Sequence, residues 1–393
     1  MPHIKVKPFE TSIVNEAVTK SDLLTFRAKA LNRGDELWGV VLEGREFLLQ
    51  VKYYDDEVLI KYDKVTRPLK VNLLKEALGR VAKELGLEVI ASNITQHKET
   101  RFASEYEKQI EDFETIAFPF EKVCVEVGFG SGRHLLYQAN KHPDTLYIGL
   151  EIHTPSAQQV LKQIDLQGLK NIWVVNYDAR LFLEMLPSNL LERIYVHFPV
   201  PWDKKPHRRV ISPQFLDESM RVLSKGCELE LRTDSDNYFA YALETFFGVP
   251  KTEVHVRKNA DLEVTSKYEA RWKRMQKDIY DVYVTALEVS EPKQEVGDFN
   301  FNIVKYREGI EAVLPKKALV EKEYFVHIER LYTIAEKRLL IKCSFGSFDR
   351  PEHKYILLEE EGCRYFASRP VKTSVNHKAH QKIMELLSNV ERN

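Results

Sequence analysis

Cysteine is scarce in this sequence, and none of it is spaced for a metal cluster or a disulfide framework. The four cysteines, Cys124, Cys227, Cys343 and Cys363, lie far apart and form no C-x-x-C pair. Isolated thiols of this kind are typical of proteins in a reducing compartment. We therefore expect a cytoplasmic protein without a bound metal.

Long apolar runs and a strong net charge are also missing. No stretch approaches the roughly 18 consecutive apolar residues of a membrane span, and the first residues lack the apolar core of a signal peptide. The formal net charge is −1, so any site for a polyanion must be a local patch. We expect no membrane contact, and the sequence indicates no particular protein partner.

The chain of 393 residues is too long for a single core and predicts several domains. Residues 1–94 show three strands and a helix, which indicates a small α+β domain of unknown role. Residues 95–121 are polar and form a connecting segment, which we interpret as a helix. Residues 122–290 alternate strands and helices. Residues 291–393 return to the pattern of the first domain and predict a second α+β domain of unknown role.

The alternation in residues 122–290 predicts an α/β fold with a doubly wound, mostly parallel sheet. Helical patterns separate most of its strand-like runs, which are residues 123–127, 146–151, 172–176, 194–198, 228–232 and 282–287. In such sheets, ligands bind at the carboxyl ends of the strands. Most of the candidate site residues described below lie at these ends.

The two flanking segments share a short motif at corresponding places. Arg67-Pro68-Leu69-Lys70 and Arg369-Pro370-Val371-Lys372 both join a last strand to a helix. The motif leads to the hypothesis that the flanks are two copies of one module. The alternative is a chance match of four positions. Neither flank shows a cluster of reactive side chains or an obvious basic stripe.

A buried strand runs into three closely spaced glycines at the start of the central domain. The segment reads V-C-V-E-V-G-F-G-S-G and contains Gly128, Gly130 and Gly132. Glycines let the backbone adopt positive φ and approach a ligand closely, and the amides of the following helix point at that ligand. The turn predicts a ligand cradle but does not by itself select the ligand.

Glu126 lies inside this strand, two residues before the first glycine. In a dinucleotide site the turn holds a pyrophosphate, which a neighbouring carboxylate would repel. The α-ammonium of S-adenosylmethionine would instead be attracted, and this donor carries adenine and ribose but no phosphate. We therefore favour a methyl donor as the ligand. The alternative is a buried acid paired with an arginine.

Two further acids follow the next two strands. Glu151 is placed to accept hydrogen bonds from the hydroxyls of a ribose, and the alternative is a solvated carboxylate. Asp178 can accept a hydrogen bond from the exocyclic amine of adenine. It can also cap the following helix, a role that aspartate favours.

The fourth strand ends in a proline-rich loop, H-F-P-V-P-W-D-K-K-P-H-R-R, residues 197–209. Trp202 can stack on a flat substrate, and the basic run that includes Lys204 can bind phosphates. Asp234 follows the fifth strand, faces the same cleft and can bind the N1–H and N2 edge of a guanine. The combination indicates a nucleic-acid substrate. The alternative for the basic run alone is a solvated loop.

Six segments together resemble the bacterial tRNA (guanine-N7)-methyltransferases in their order and spacing: residues 126–132, 149–153, 178–179, 198–204, 233–234 and 266–271. The resemblance covers the central domain and neither flank. It implies a class I methyltransferase fold, S-adenosylmethionine as methyl donor and no metal. It also implies that the target is N7 of guanine 46 in the variable loop of tRNA.

The resemblance further implies roles for individual residues. The donor-binding positions of the family match Glu126, Gly128, Gly130, Gly132, Glu151 and Asp178. The substrate-binding positions match Lys204, Asp234, Ser266, Lys267, Tyr268 and Glu269. No catalytic residue is assigned.

The loop departs from the family pattern in two places. Its basic tail is shortened to His207-Arg208-Arg209, and Val200 stands where the loop usually carries an aspartate. N7 of guanine has a lone pair and no proton, so the reaction needs alignment rather than a base. We therefore expect an active enzyme in which Asp203 or Asp234 orients the guanine. The alternatives are a lapsed tRNA-binding protein that keeps the donor pocket, and a class I methyltransferase that acts on another nucleobase.

Overall fold

The computed structural model describes residues 2–66, 71–95, 104–260, 275, 277–302, 304–334, 337–348 and 350–388. The chain divides into two compact units. The first comprises residues 1–100, 296–370 and 374–393, and the second comprises residues 101–295 and 371–373. Where the sequence predicts two separate flanking domains, the structure joins both flanks in one unit.

The elements are numbered here in chain order. The strands are β1 (His3–Val6), β2 (Leu24–Ala30), β3 (Glu36–Leu42), β4 (Arg45–Tyr53), β5 (Val58–Tyr62), β6 (Val89–Ser92), β7 (Glu107–Lys108), β8 (Lys122–Val127), β9 (Thr145–Leu150), β10 (Ile172–Val175), β11 (Leu191–His197), β12 (Leu223–Thr233), β13 (Thr252–Lys258), β14 (Tyr280–Ala286), β15 (Leu319–Val320), β16 (Phe325–Ile334), β17 (Arg338–Gly346), β18 (Glu352–Leu358) and β19 (Cys363–Phe366). The helices are α1 (Ser12–Lys20), α2 (Val71–Glu84), α3 (Arg133–Lys141), α4 (Thr154–Gln167), α5 (Ala179–Phe182), α6 (Pro213–Val222), α7 (Asp236–Phe247), α8 (Ile310–Val313) and α9 (Ser374–Ser388).

The second unit is built on a sheet with the strand order β13-β14-β12-β11-β8-β9-β10-β7. In the part of this order from β12 through β11, β8, β9 and β10 to β7, each strand is parallel to the next. The strand β14 is antiparallel to both β12 and β13. This arrangement confirms the predicted doubly wound, mostly parallel sheet. The carboxyl ends of β8, β9, β10, β11 and β12 therefore lie at one edge of the sheet, as ligand sites of this fold require.

Helices cover both faces of the central strand β8. Val123, Val125 and Val127 are buried in a core that includes side chains of α6 and α7. Cys124 belongs to the opposite core, together with side chains of α3 and α4. A strand buried on both faces reads as a continuous apolar run, which is why its position was predictable.

The connecting segment differs from its prediction. Its described part, residues 104–121, contains β7 and a 3-10 helix, Ile110–Glu114, rather than an α-helix. Phe113 on this short helix packs edge-on against Phe182, with 4.7 Å between ring centroids. Phe113 also contacts Trp173 of β10, with 6.1 Å between ring centroids. Aromatic contacts that the polar composition does not predict therefore hold the segment against α5 and the sheet.

The first unit contains a largely antiparallel sheet with the order β19-β18-β17-β16-β2-β3-β4-β5-β1-β6, and β15 pairs with β16. The strands β2 to β5 are followed by α2, which packs on one core, and β16 to β19 are followed by α9, which packs on another. The two halves meet where β2 pairs with β16. This is the order expected for two copies of one module, although residues 67–70 of the shared motif lie outside the described residues.

No helix among the described residues is both long and apolar enough to span a bilayer.

Candidate functional site

The glycine turn after β8 has the backbone conformation that its sequence predicts. Gly128, Gly130 and Gly132 have φ values of +68°, +56° and +70°, which residues with a side chain rarely adopt. A Cβ on Gly132 would lie 2.4 Å from Cγ2 of Val160, so this glycine permits close helix packing. A Cβ on Gly128 would meet no atom within 4 Å. The start of the turn therefore faces open space in which a ligand can lie.

Glu151 holds this turn in place. Its Oε2 accepts a hydrogen bond from the amide of Gly130 at 2.9 Å, and its Oε1 accepts one from the amide of His153 at 2.8 Å. Each carboxylate oxygen can accept a further bond. Glu151 is therefore a fixed, partly buried acceptor at the carboxyl end of β9 rather than a freely solvated side chain.

Glu126 is buried, and its partner is a histidine. Its Oε2 lies 2.8 Å from Nδ1 of His134 on α3, while Oε1 accepts no hydrogen bond from the described residues. Burial alone would lower the pKa of His134, but the charge of Glu126 and the hydrogen bond to it raise that pKa above its ordinary value. The alternative from the sequence is a buried acid paired with an arginine. The partner is instead an imidazole, and one carboxylate oxygen remains available for a ligand.

The same imidazole belongs to a larger buried network. The ring centroids of His134 and His197 are 4.6 Å apart, and Nε2 of His197 lies 3.0 Å from Oε1 of Glu230. Glu230 also pairs with Arg193 at 3.2 Å. Burial would raise the pKa of Glu230, but His197 and Arg193 lower it to about 2. Polar side chains on β8, β11 and β12 are therefore linked through His134 of α3.

Asp178 caps the short helix α5. Its Oδ1 accepts a hydrogen bond from the amide of Arg180 at 3.0 Å, the capping role that the sequence leaves open. Its Oδ2 also pairs with the guanidinium of Arg180 at 2.7 Å. The carboxylate follows β10, so it lies at the same edge of the sheet as Glu151.

The loop after β11 is conformationally strained. Phe198 and Trp202 have φ values of +50° and +46°, and positive φ is rare for bulky residues and is concentrated at functional sites. The amide of Phe198 donates to the carbonyl of Arg232 at 2.8 Å. Arg232 is in turn fixed by a buried ion pair to Asp281, with 2.6 Å between Nε and Oδ1. The loop therefore starts from a rigid base.

The basic run of this loop divides into two kinds of residue. Arg209 is buried, and its Nε donates to the carbonyl of Pro201 at 2.8 Å. Its guanidinium carbon lies 4.4 Å from the ring centroid of Tyr241. Arg208 is exposed and lies 5.1 Å from the ring centroid of Trp202. Arg209 thus shapes the loop, whereas Arg208 and Trp202 expose a cation and an aromatic ring to solvent.

The remaining predicted substrate-binding residues differ from one another in exposure and in hydrogen bonding. Lys204 is exposed. Asp234 follows β12, and its Oδ2 accepts a hydrogen bond from Nζ of Lys277 at 2.8 Å. Val200 is 58% exposed. Burial therefore does not explain why a valine stands where the family usually has an aspartate. Ser266, Lys267, Tyr268 and Glu269 lie outside the described residues.

Several site residues have no local sequence signal. His134, Glu230, Arg232 and Asp281 lie in ordinary helical or strand patterns, and their partners lie on other helices or strands. The placement of Glu230, Arg232 and Asp281 within otherwise buried strands marks these three as unusual, because buried charges require partners.

The comparisons with known proteins extend beyond this unit. Residues 121–282 match the family described as "Putative methyltransferase". A tRNA (guanine-N(7)-)-methyltransferase of Wolinella succinogenes is 40% identical over 400 residues, which cover 99% of this chain and 100% of the relative. Relatives with the same name are 40% identical in Campylobacter fetus subsp. fetus, over 88% of this chain and 89% of the relative, and 40% identical in Helicobacter pylori, over 88% and 86%. The similarity therefore includes the flanking segments.

Proposed function

The chain belongs to the family of the tRNA (guanine-N(7)-)-methyltransferases, and we propose that it transfers the methyl group of S-adenosylmethionine to N7 of guanine 46 in the variable loop of tRNA. The observation that carries the proposal is the 40% identity over 99% of the chain to an enzyme of that name. The site supplies the chemical support.

The donor is assigned to the glycine turn because the groups around it suit a ligand with an ammonium and a ribose but no phosphate. Open space adjoins Gly128, and the buried carboxylate of Glu126 lies just before it. We assign the free oxygen of Glu126 to the α-ammonium. Glu151 would accept from the ribose hydroxyls, since its carboxylate is already oriented by two amides. Asp178 would accept from the adenine amine.

The tRNA is assigned to the neighbouring strand ends. Trp202 and Arg208 offer a stacking surface and a cation, and Lys204 adds a second exposed charge. Asp234, oriented by Lys277, would bind the N1–H and N2 edge of the guanine. The matching segment that includes Ser266, Lys267, Tyr268 and Glu269 would complete the substrate site.

The reaction needs no general base. The N7 lone pair forms the bond to the methyl carbon while the carbon–sulfur bond breaks, and its electron pair returns to sulfur. The positive charge moves from the sulfonium to the guanine ring, and no proton is transferred. Catalysis therefore comes from alignment of N7, methyl and sulfur, which explains how an enzyme with Val200 in place of an aspartate can remain active.

The test combines methyl transfer with a chemical probe of the product. Purified protein, S-adenosylmethionine and an unmodified tRNA transcript should give methylated tRNA that undergoes strand scission at N7-methylguanine 46. A transcript with adenine at position 46 should give no product. Binding of both substrates without transfer would indicate a lapsed enzyme. Transfer without scission would indicate another nucleobase as the target.

A further inference from the structure

The sheet of the first unit has a cationic face. Along β1 and β5, Ile4 and Ile60 belong to the core beneath α2, whereas their neighbours Lys5 and Lys61 point to the other side, since side chains alternate along a strand. The register places Gln50 of β4 opposite Lys61, so Lys52, two residues further along β4, lies on the same side. Three adjacent strands thus bring together lysines that are distant in sequence.

This face lines a cavity of about 510 Å³. Its lining includes four lysines, Lys5, Lys61, Lys64 and Lys342, and among the described lining residues Asp63 is the one acid. A solvated face of an antiparallel sheet also carries lysines, but a flat face forms no cavity. The concave shape distinguishes this surface.

Part of this charge is already neutralised. Lys5 pairs with Glu57 at 2.8 Å, and Lys342 pairs with Glu329 at 2.9 Å. The carboxylate of Asp63 accepts hydrogen bonds from two backbone amides and from a tyrosine hydroxyl. These contacts fix the walls of the cavity.

Two lysines of the cavity lining, Lys61 and Lys64, form no ion pair within the described part of the chain. Neither does Lys52, which lies beside the cavity on β4, opposite Leu59 of the lining. We call Lys52, Lys61 and Lys64 the lysine triad. Lys61 is half-buried. Burial lowers its pKa, and the like charges of Lys52 and Lys64 lower it further, while the charge of Asp63 opposes them with a smaller effect. Three cations therefore lie close enough to repel one another, and the neighbouring acid Asp63 is already engaged by two backbone amides and a tyrosine hydroxyl. A bound polyanion would stabilise this arrangement.

We propose that the lysine triad binds the sugar–phosphate backbone of the tRNA substrate. The inference rests on the proposed function, since it takes the substrate from there. Lysines are point charges without the planar fork with which arginine selects a single phosphate. Charges spread over neighbouring strands suit a chain of phosphates, and such contacts position an RNA without reading its sequence.

The experiment compares the full-length protein with the variant K52Q/K61Q/K64Q. A matched control, K20Q/K29Q/K83Q, removes three exposed lysines from the same unit and changes the net charge equally. We expect the triad variant to bind tRNA at least about tenfold more weakly at about 0.1 M salt. The plot of log K against log salt should become less steep, its slope decreasing in magnitude by about 2. Each lost phosphate contact reduces the magnitude of the slope by about 0.7 to 0.9.

Methylation kinetics separate this proposal from the proposed function. The triad variant should show a raised KM for tRNA, with kcat and S-adenosylmethionine affinity unchanged. Unchanged tRNA affinity and salt slope in a folded triad variant would overturn the inference, and so would an equal loss in the control. Failure of the proposed function would instead appear in the wild-type protein, as absence of N7-methylguanine.

Discussion

Glu126 and His134 are joined by a buried hydrogen bond, with 2.8 Å between Oε2 of the carboxylate and Nδ1 of the imidazole. The acid proposed to bind the donor ammonium is therefore held in one orientation by a residue of α3. Because only one of its oxygens accepts a hydrogen bond from the described residues, the other can still contact a ligand. The imidazole also makes the electrostatics of this site depend on pH.

The variant His134→Gln tests this dependence. The pKa of His134 is raised in the folded protein, so its contribution to stability is fully present below the unfolded pKa of about 6.5. The contribution is lost as pH rises through the folded pKa. Urea unfolding from pH 5.5 to 9 should show that the stability difference between wild type and variant shrinks as pH rises. A difference independent of pH would contradict the proposed charge pairing.

Glu230→Gln tests the network on β11 and β12. The pKa of Glu230 is lowered to about 2, so the carboxylate stabilises the fold above about pH 4.5 and loses this effect as pH falls toward 2. At pH 7 the variant should lose about 3 kcal/mol of unfolding free energy, measured by urea denaturation.

Glu228→Gln is the matched control for this experiment. Glu228 pairs with the same arginine, Arg193, at 2.7 Å, but its side chain is 29% exposed. A partly solvated pair contributes less than about 1 kcal/mol. Equal losses in the two variants would show that burial of Glu230 is not the source of its effect.

Arg209→Ala and Arg208→Ala should impair methylation through different kinetic parameters. Arg209 donates to the carbonyl of Pro201 from a buried position, so its loss should distort the loop and lower kcat by about tenfold to a hundredfold. Arg208 is exposed, so its loss should mainly raise the KM for tRNA. Steady-state methylation assays distinguish the two outcomes. An unchanged kcat in the Arg209 variant would show that the loop does not depend on this residue.

Glu151→Ala should impair donor binding selectively. The substitution removes the acceptor of the Gly130 amide together with the proposed ribose contact. Loss of such charge-assisted bonds should weaken S-adenosylmethionine binding by about tenfold to a hundredfold, measured by calorimetry. The affinity for tRNA, measured by gel shift, should stay within about twofold. Asp165→Ala, which removes an exposed acid of α4, should change neither affinity.

The central strands were predictable to within a few residues, because buried parallel strands are continuous apolar runs. Besides the connecting segment, two elements of the same unit have no clear sequence signal. The strand β13, T-E-V-H-V-R-K, is mostly exposed and therefore lacks an apolar run. The helix α7, D-N-Y-F-A-Y-A-L-E-T-F-F, is apolar on most sides, so it shows no clear helical period.

The sequence by itself determined the glycine turn, the acids at the strand ends and the family resemblance, because each depends on residues close together in the chain. Only the tertiary structure decided which residues from different helices and strands come into contact. It pairs Glu126 with His134, buries Arg209 beneath its own loop, and joins the flanks through β2 and β16. It also gathers the lysine triad from β4, β5 and the segment that follows. Such contacts depend on strand register and sheet order, which no local pattern encodes.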